Sequence, residues 1–100
     1  MRISEFQKRI EEIYFARDHA RGVDGTFRWF AEEVGELARA LGPPRGLSAD
    51  RIEANLREEF ADVLAWLATL ASIKGVDLED AARSKYAGGC PKCGRVPCDC

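Results

Sequence analysis

One hundred residues, 46% of them hydrophobic and 32% charged, describe one small globular domain and exclude a disordered chain. A net charge of -2, with basic residues spread along the chain, leaves no electrostatic footprint for a nucleic-acid polymer. No apolar run approaches the roughly 20 residues that span a bilayer, so a membrane partner is excluded. Met1 to Glu12 has charges throughout and no signal-peptide core, which makes the cytoplasm the expected location.

The first segment, Arg2 to about Arg21, places Ile3, Phe6, Ile10, Ile13 and Tyr14 at helical spacing. Ser4-x-x-Gln7 reads as a capping box at its start. Gly22 to Gly25 predicts a break, with Thr26 as the cap of a second helix over Phe27 to Leu41 that stops at Gly42-Pro43-Pro44. After a Gly- and Pro-rich loop, Ser48 opens a third helix carrying Ile52, Leu56, Phe60, Val63, Leu64, Leu67, Leu70 and Ile73, and Gly75 ends it. Asp77 opens a short fourth helix to about Tyr86. No β-type alternation occurs. The expectation is all-α: an antiparallel bundle of four helices, completed by oligomerisation because so short a chain buries a thin core. Residues 1–87 form the domain and 88–100 a Cys-rich tail of different composition.

Two acidic phrases stand out, Glu32-Glu33-x-x-Glu36 and Glu59-x-x-Asp62. Carboxylates three residues apart project from one side of a helix, so two such pairs on facing helices gather four of them. Like charges that close repel strongly unless a cation sits among them. Hard divalent cations such as Mg²⁺ take oxygen ligands of this kind and reach out to phosphates. On a helical wheel, Glu59 falls inside the apolar stripe of Ile52, Leu56, Val63, Leu67 and Leu70, with Asp62 at its edge; these two are read as the buried pair and Glu58 as solvated. On the second helix, Phe27, Phe30, Val34, Leu37 and Leu41 form the stripe, bordered by Glu33 and then Glu36 and Trp29. Glu32 points instead toward Arg28 and Arg39, as a surface ion pair. His19 has no matching partner and reads as a surface residue.

These phrases, EEVGELARAL at 32–41 and EEFADVLAWLATLA at 58–71 with a 22-residue spacer between Glu36 and Glu59, resemble the signature of the all-α nucleotide pyrophosphohydrolases of the MazG type. KGVDLEDAARSKY, residues 74–86, resembles the closing helix of that family. The resemblance implies Mg²⁺-dependent cleavage of a nucleoside triphosphate to a monophosphate and pyrophosphate, in the service of nucleotide-pool house-cleaning, by a homodimer or homotetramer. It implies Glu33, Glu36, Glu59 and Asp62 as Mg²⁺ ligands, with Glu32 in support. Trp66, one turn after Asp62, matches a family aromatic near the base; Trp29, one turn before Glu33, is a second stacking candidate. Lys85 matches a family lysine directed at phosphate, but the Asn and Arg that often follow are replaced here by Ala87-Gly88-Gly89-Cys90. Two other readings share these features: an enzyme like phosphoribosyl-ATP pyrophosphohydrolase, and a non-enzymatic helical interaction module.

The tail places Cys90, Cys93, Cys98 and Cys100 within eleven residues. Cys-x2-Cys followed by Gly is a good half-site for Zn²⁺, and Cys-x-Cys supplies two more thiolates, which points to a structural zinc knuckle. Reactive free thiols are the alternative.

Overall fold

A computed structural model describes residues 1–100. It is all-α, with three helices: α1 over Ile3–Leu41, α2 over Ala49–Ile73 and α3 over Leu78–Tyr86. None is long and apolar enough to cross a membrane.

The expected first and second helices are both present, as two limbs of α1 that meet end to end at a break within the expected Gly22 to Gly25. A straight helix of 39 residues would run about 58 Å at 1.5 Å per residue. The whole molecule measures only 44 Å in its longest dimension. The bend sits at Gly22, whose φ of 76° and ψ of -178° leave the helical region in a conformation only glycine adopts without strain. Helical structure resumes at once, so Thr26 caps nothing. It lies inside the second limb, fully buried, and accepts a hydrogen bond from Arg21 Nη1 at 3.4 Å. Gly25 leaves the room for that: a Cβ there would stand 2.7 Å from Arg21 Cγ.

Helix α2 returns antiparallel to α1, pairing Gln7 with Ser72 near one end and Asp18 with Thr69 further along. It begins where expected, with the Ser48 hydroxyl accepting from Arg51 N at 3.3 Å. In the same way Asp77 caps α3, accepting from Asp80 N at 3.0 Å.

The expected Ser4–Gln7 capping box does not form, because both residues serve longer-range contacts. Arg2 occupies the N-cap position, its backbone N–H donating to Glu5 Oε1. Gln7 is buried and stitches three segments: its Nε2 donates to Ser72 Oγ and Val76 O, and its Oε1 accepts from Leu78 N. The Ser4 backbone N–H and hydroxyl both donate to Glu79 Oε1, and Arg2 and Arg83 converge on the other oxygen, Oε2. These polar ties dock α3 on the start of α1.

The interior is thin and made of small residues. Ile10, Ala68 and Ala71 are the only buried hydrophobic side chains, beside buried Gln7, Asp18, Thr26 and Thr69. The apolar stripe expected to bury the second limb of α1 instead leaves Phe27, Val34 and Leu41 exposed, at seven-residue spacing along one line. On α2, Phe60, Leu64 and Leu67 are exposed as well. The two-helix layer has a second apolar side that nothing in the single chain covers.

Candidate metal centre

The acids meet where the second limb of α1 crosses the middle of α2. Carboxylate oxygens of Glu33, Glu59 and Asp62 all lie within 4.8 Å of one another. Glu33 and Glu59 are half-buried, whereas Asp62 is exposed. The reading of Glu59 and Asp62 as a buried pair is therefore corrected for Asp62. The wheel puts Asp62 at the stripe's edge, and that edge opens toward a cavity instead of into the helix contact. Glu36 is exposed and stands outside the three-acid set, although its charge still acts on both Glu33 and Glu59.

Burial raises Glu59 above the ordinary carboxylate value, and the charges of Asp62, Glu36 and Glu58 push it further the same way. Glu33 is raised too, first by burial and then by Asp62, Glu59, Glu36 and Glu32. Glu59 Oε2 is buried and has no hydrogen-bond partner. An unpaired carboxylate oxygen in a protein interior costs free energy that nothing in the chain offsets. Three convergent carboxylates, one with an orphaned oxygen, make a donor set that fits a hard divalent cation.

The remaining sequence candidates fall into place around this point unequally. Glu32 is exposed, and the ion pair expected with Arg28 or Arg39 does not form; all three side chains stand in solvent, where such a pair is worth little. Trp29 from α1 and Trp66 from α2 stack on each other, ring centroids 5.9 Å apart and planes 10° apart. Lys85 is exposed, lies 5.5 Å over the ring of Tyr86, and borders neither the acids nor the cavity beside them. His19 is exposed against Phe15.

That cavity, of about 220 Å³, is lined by residues outside the acidic phrases as well. Asp62 and Trp66 form one wall, and Tyr14, Arg17, Asp18 and Arg21 of α1 form the other. Asp18 is buried and satisfied twice, by Thr69 Oγ1 and Arg21 Nη1, each at 3.1 Å. The Arg21 guanidinium also lies 4.9 Å over the Trp66 ring, a cation–π contact. Arg17 makes no ion pair, leaving a cation on the wall opposite Asp62. The only sequence signal for this wall was Arg17-Asp18-x-x-Arg21 ahead of the Gly22 break, which matches no motif.

The tail gathers a second cluster. Sγ of Cys90 lies 3.7 Å from that of Cys100, Cys93 Sγ lies 3.9 Å from Cys98 Sγ, and all four fall within 4.8 Å of one another. Backbone amides of Cys93 and Lys92 pull the Cys90 thiol down to about 6, and amides of Asp99 and Arg95 lower Cys93. The Cys100 thiol, donating to the sulfurs of Cys98, Cys90 and Cys93, keeps its proton and is pushed up to about 11.

A search of the curated proteins finds no match. The family model of the MazG nucleotide pyrophosphohydrolase domain matches residues 21–93, a span that holds both acidic phrases, α3 and the first two cysteines. With most of its length in that match, and with acids from both phrases meeting across two helices, the chain belongs to the MazG nucleotide pyrophosphohydrolase family.

Proposed function

We propose that this protein hydrolyses (deoxy)nucleoside triphosphates to a monophosphate and pyrophosphate, with Mg²⁺ held by Glu33, Glu59 and Asp62, and removes unwanted nucleotides from the pool. The observation that carries this reading is the buried, unpartnered Glu59 oxygen beside two other carboxylates. Glu36, one turn from Glu33, joins the set by a side-chain movement, and Glu32 orients groups around it. When bound, Mg²⁺ neutralises triphosphate charge and acidifies a coordinated water.

The chain's own residues do the rest. A carboxylate of the set that is not ligating orients the attacking water and accepts its proton. Arg17, across the cavity from Asp62, offers the phosphates a cation that no other side chain neutralises. Trp29, 47% exposed, presents its outer indole face to the base, with Trp66 stacked behind it and itself covered by Arg21; a contact of this kind contributes about 1–3 kcal/mol and tolerates any base. Lys85 reaches phosphate only if a neighbouring copy brings it there, which fits an active homo-oligomer. A second copy is the natural cover for the exposed seams of Phe27, Val34 and Leu41 and of Phe60, Leu64 and Leu67, because it turns two helices into four.

The test is a panel of nucleoside and deoxynucleoside triphosphates plus phosphoribosyl-ATP, with Mg²⁺ and detection of pyrophosphate. Release of pyrophosphate and monophosphate, abolished in Glu59→Gln, is expected. If no substrate is cleaved and Mg²⁺ leaves the melting temperature unmoved, the enzyme reading fails and an interaction module replaces it.

A further inference from the structure

The tail after α3 is ordered without a core. None of its side chains is buried, and Val96, its largest aliphatic residue, is 84% exposed. Nothing hydrophobic explains why thirteen residues should close into a compact loop. The backbone does close: Gly94 N donates to Cys90 O at 2.6 Å and Cys90 N to Arg95 O at 3.1 Å, while Gly89 N bonds back to Tyr86 O at the end of α3. What the loop brings together is sulfur.

The spacing of those sulfurs fits a single tetrahedral metal ion. Bonded sulfurs sit about 2.05 Å apart, so contacts of 3.7 and 3.9 Å are not disulfides. A tetrahedral ion with metal–sulfur bonds of about 2.3 Å holds its ligands about 3.8 Å from one another. Both close pairs match that edge, and the remaining separations, all under 4.8 Å, need little adjustment. Polynuclear iron–sulfur clusters space their cysteines more widely around a larger core. Arg95 pairs with Asp99, which leaves Lys92 as the loop's free cation to offset part of the negative charge of a tetrathiolate site.

We infer that Cys90, Cys93, Cys98 and Cys100 bind one Zn²⁺ ion in a closed tetrathiolate site that locks the tail onto the end of α3. The site is independent of the acidic cluster: sulfur selects the softer ion and carboxylate the harder one. Half of it, Cys98 and Cys100, lies beyond the span of the family match, so it is an addition to the domain. Four thiolates leave no open coordination position, and the ion organises the loop without touching substrate.

The experiment takes the full chain, purified with reductant and without chelator, and measures metal by mass spectrometry of the digested protein. About one zinc per chain is expected, together with a tetrahedral thiolate visible spectrum after exchange for Co²⁺. Cys98→Ser with Cys100→Ser should lose the zinc while keeping the helical circular dichroism signal, and Glu59→Gln should keep the zinc. In hydrogen exchange, chelation should expose the amides of Cys90 and Gly94 and leave those of α1 and α2 protected. Four freely reactive thiols without bound metal, disulfides in the intact mass, iron in place of zinc, or zinc retained by the double variant would each overturn the inference.

Discussion

Asp18 on α1 and Thr69 on α2 are both buried, and the threonine hydroxyl donates to the carboxylate at 3.1 Å across the helix contact. A hydrogen bond to a charged group in such a place stabilises more than a neutral one. Thr69→Val keeps the shape and removes the donor, leaving Asp18 with Arg21 alone. It should lower unfolding free energy by about 2 kcal/mol, read from the denaturant midpoint. A loss under about 0.5 kcal/mol, the level of a neutral surface change, would mean that water already shares this contact.

Glu59 yields a prediction of opposite sign. Burial and neighbouring acids raise it, and Glu33, above their ordinary value of 4.5 in the fold. The native state therefore holds protons that the unfolded chain releases, so stability of the metal-free protein falls as pH rises from about 4.5 through the raised values and then levels off. In chelator, Glu59→Gln should melt higher than the parent at neutral pH and flatten that slope. With Mg²⁺ the order reverses: the parent gains about 2.7 kcal/mol at a hundredfold excess over Kd, and the variant gains much less. A variant that melts lower than the parent in chelator would show that the carboxylate has another partner.

How much of this was readable beforehand depends on the range of each interaction. Ser48 and Asp77 cap their helices through bonds to residues three positions on, and Gly42-Pro43-Pro44 stops α1; such signals are local, and the sequence carries them whole. Gln7 also looked local, as half of a capping box, but its partners lie 65 to 71 residues away, and no local pattern encodes them. The glycines from 22 to 25 announced a break, yet only the φ of Gly22 makes it a bend and not a loop. The acids were legible because their spacing on each helix is fixed. A helical wheel gives a direction from one axis but not the position of the neighbouring helix, and so Asp62 was placed on the wrong side of the boundary. The cavity wall of Arg17, Asp18 and Arg21 was invisible for the same reason.

Glu79 ties α3 down electrostatically. The Ser4 amide, foremost, and the Arg2 guanidinium hold its carboxyl below the ordinary value of 4.5. Here the unfolded chain binds the proton more readily, so the contribution is present above about 4.5 and disappears as pH falls through the lowered native value. Glu79→Gln should remove that acid-side dependence and raise amide exchange in α3 before α2 changes. Equal exchange in parent and variant would assign the docking to Gln7 alone.

The exposed seams give the sharpest test of assembly. In an isolated chain, Phe60 is 55% and Leu64 41% exposed, so Phe60→Asp or Leu64→Asp should shift stability by no more than about 0.5 kcal/mol. If a second copy covers them, a carboxylate enters an apolar contact without a partner, and the cost rises to several kcal/mol per interface. Sedimentation velocity separates the two cases. The parent should run as a dimer or tetramer, with Phe60→Asp as a helical monomer that has lost pyrophosphohydrolase activity. A monomeric parent, or a variant that assembles and turns over unchanged, would mean that these seams are open surface and that the three acids act within one chain.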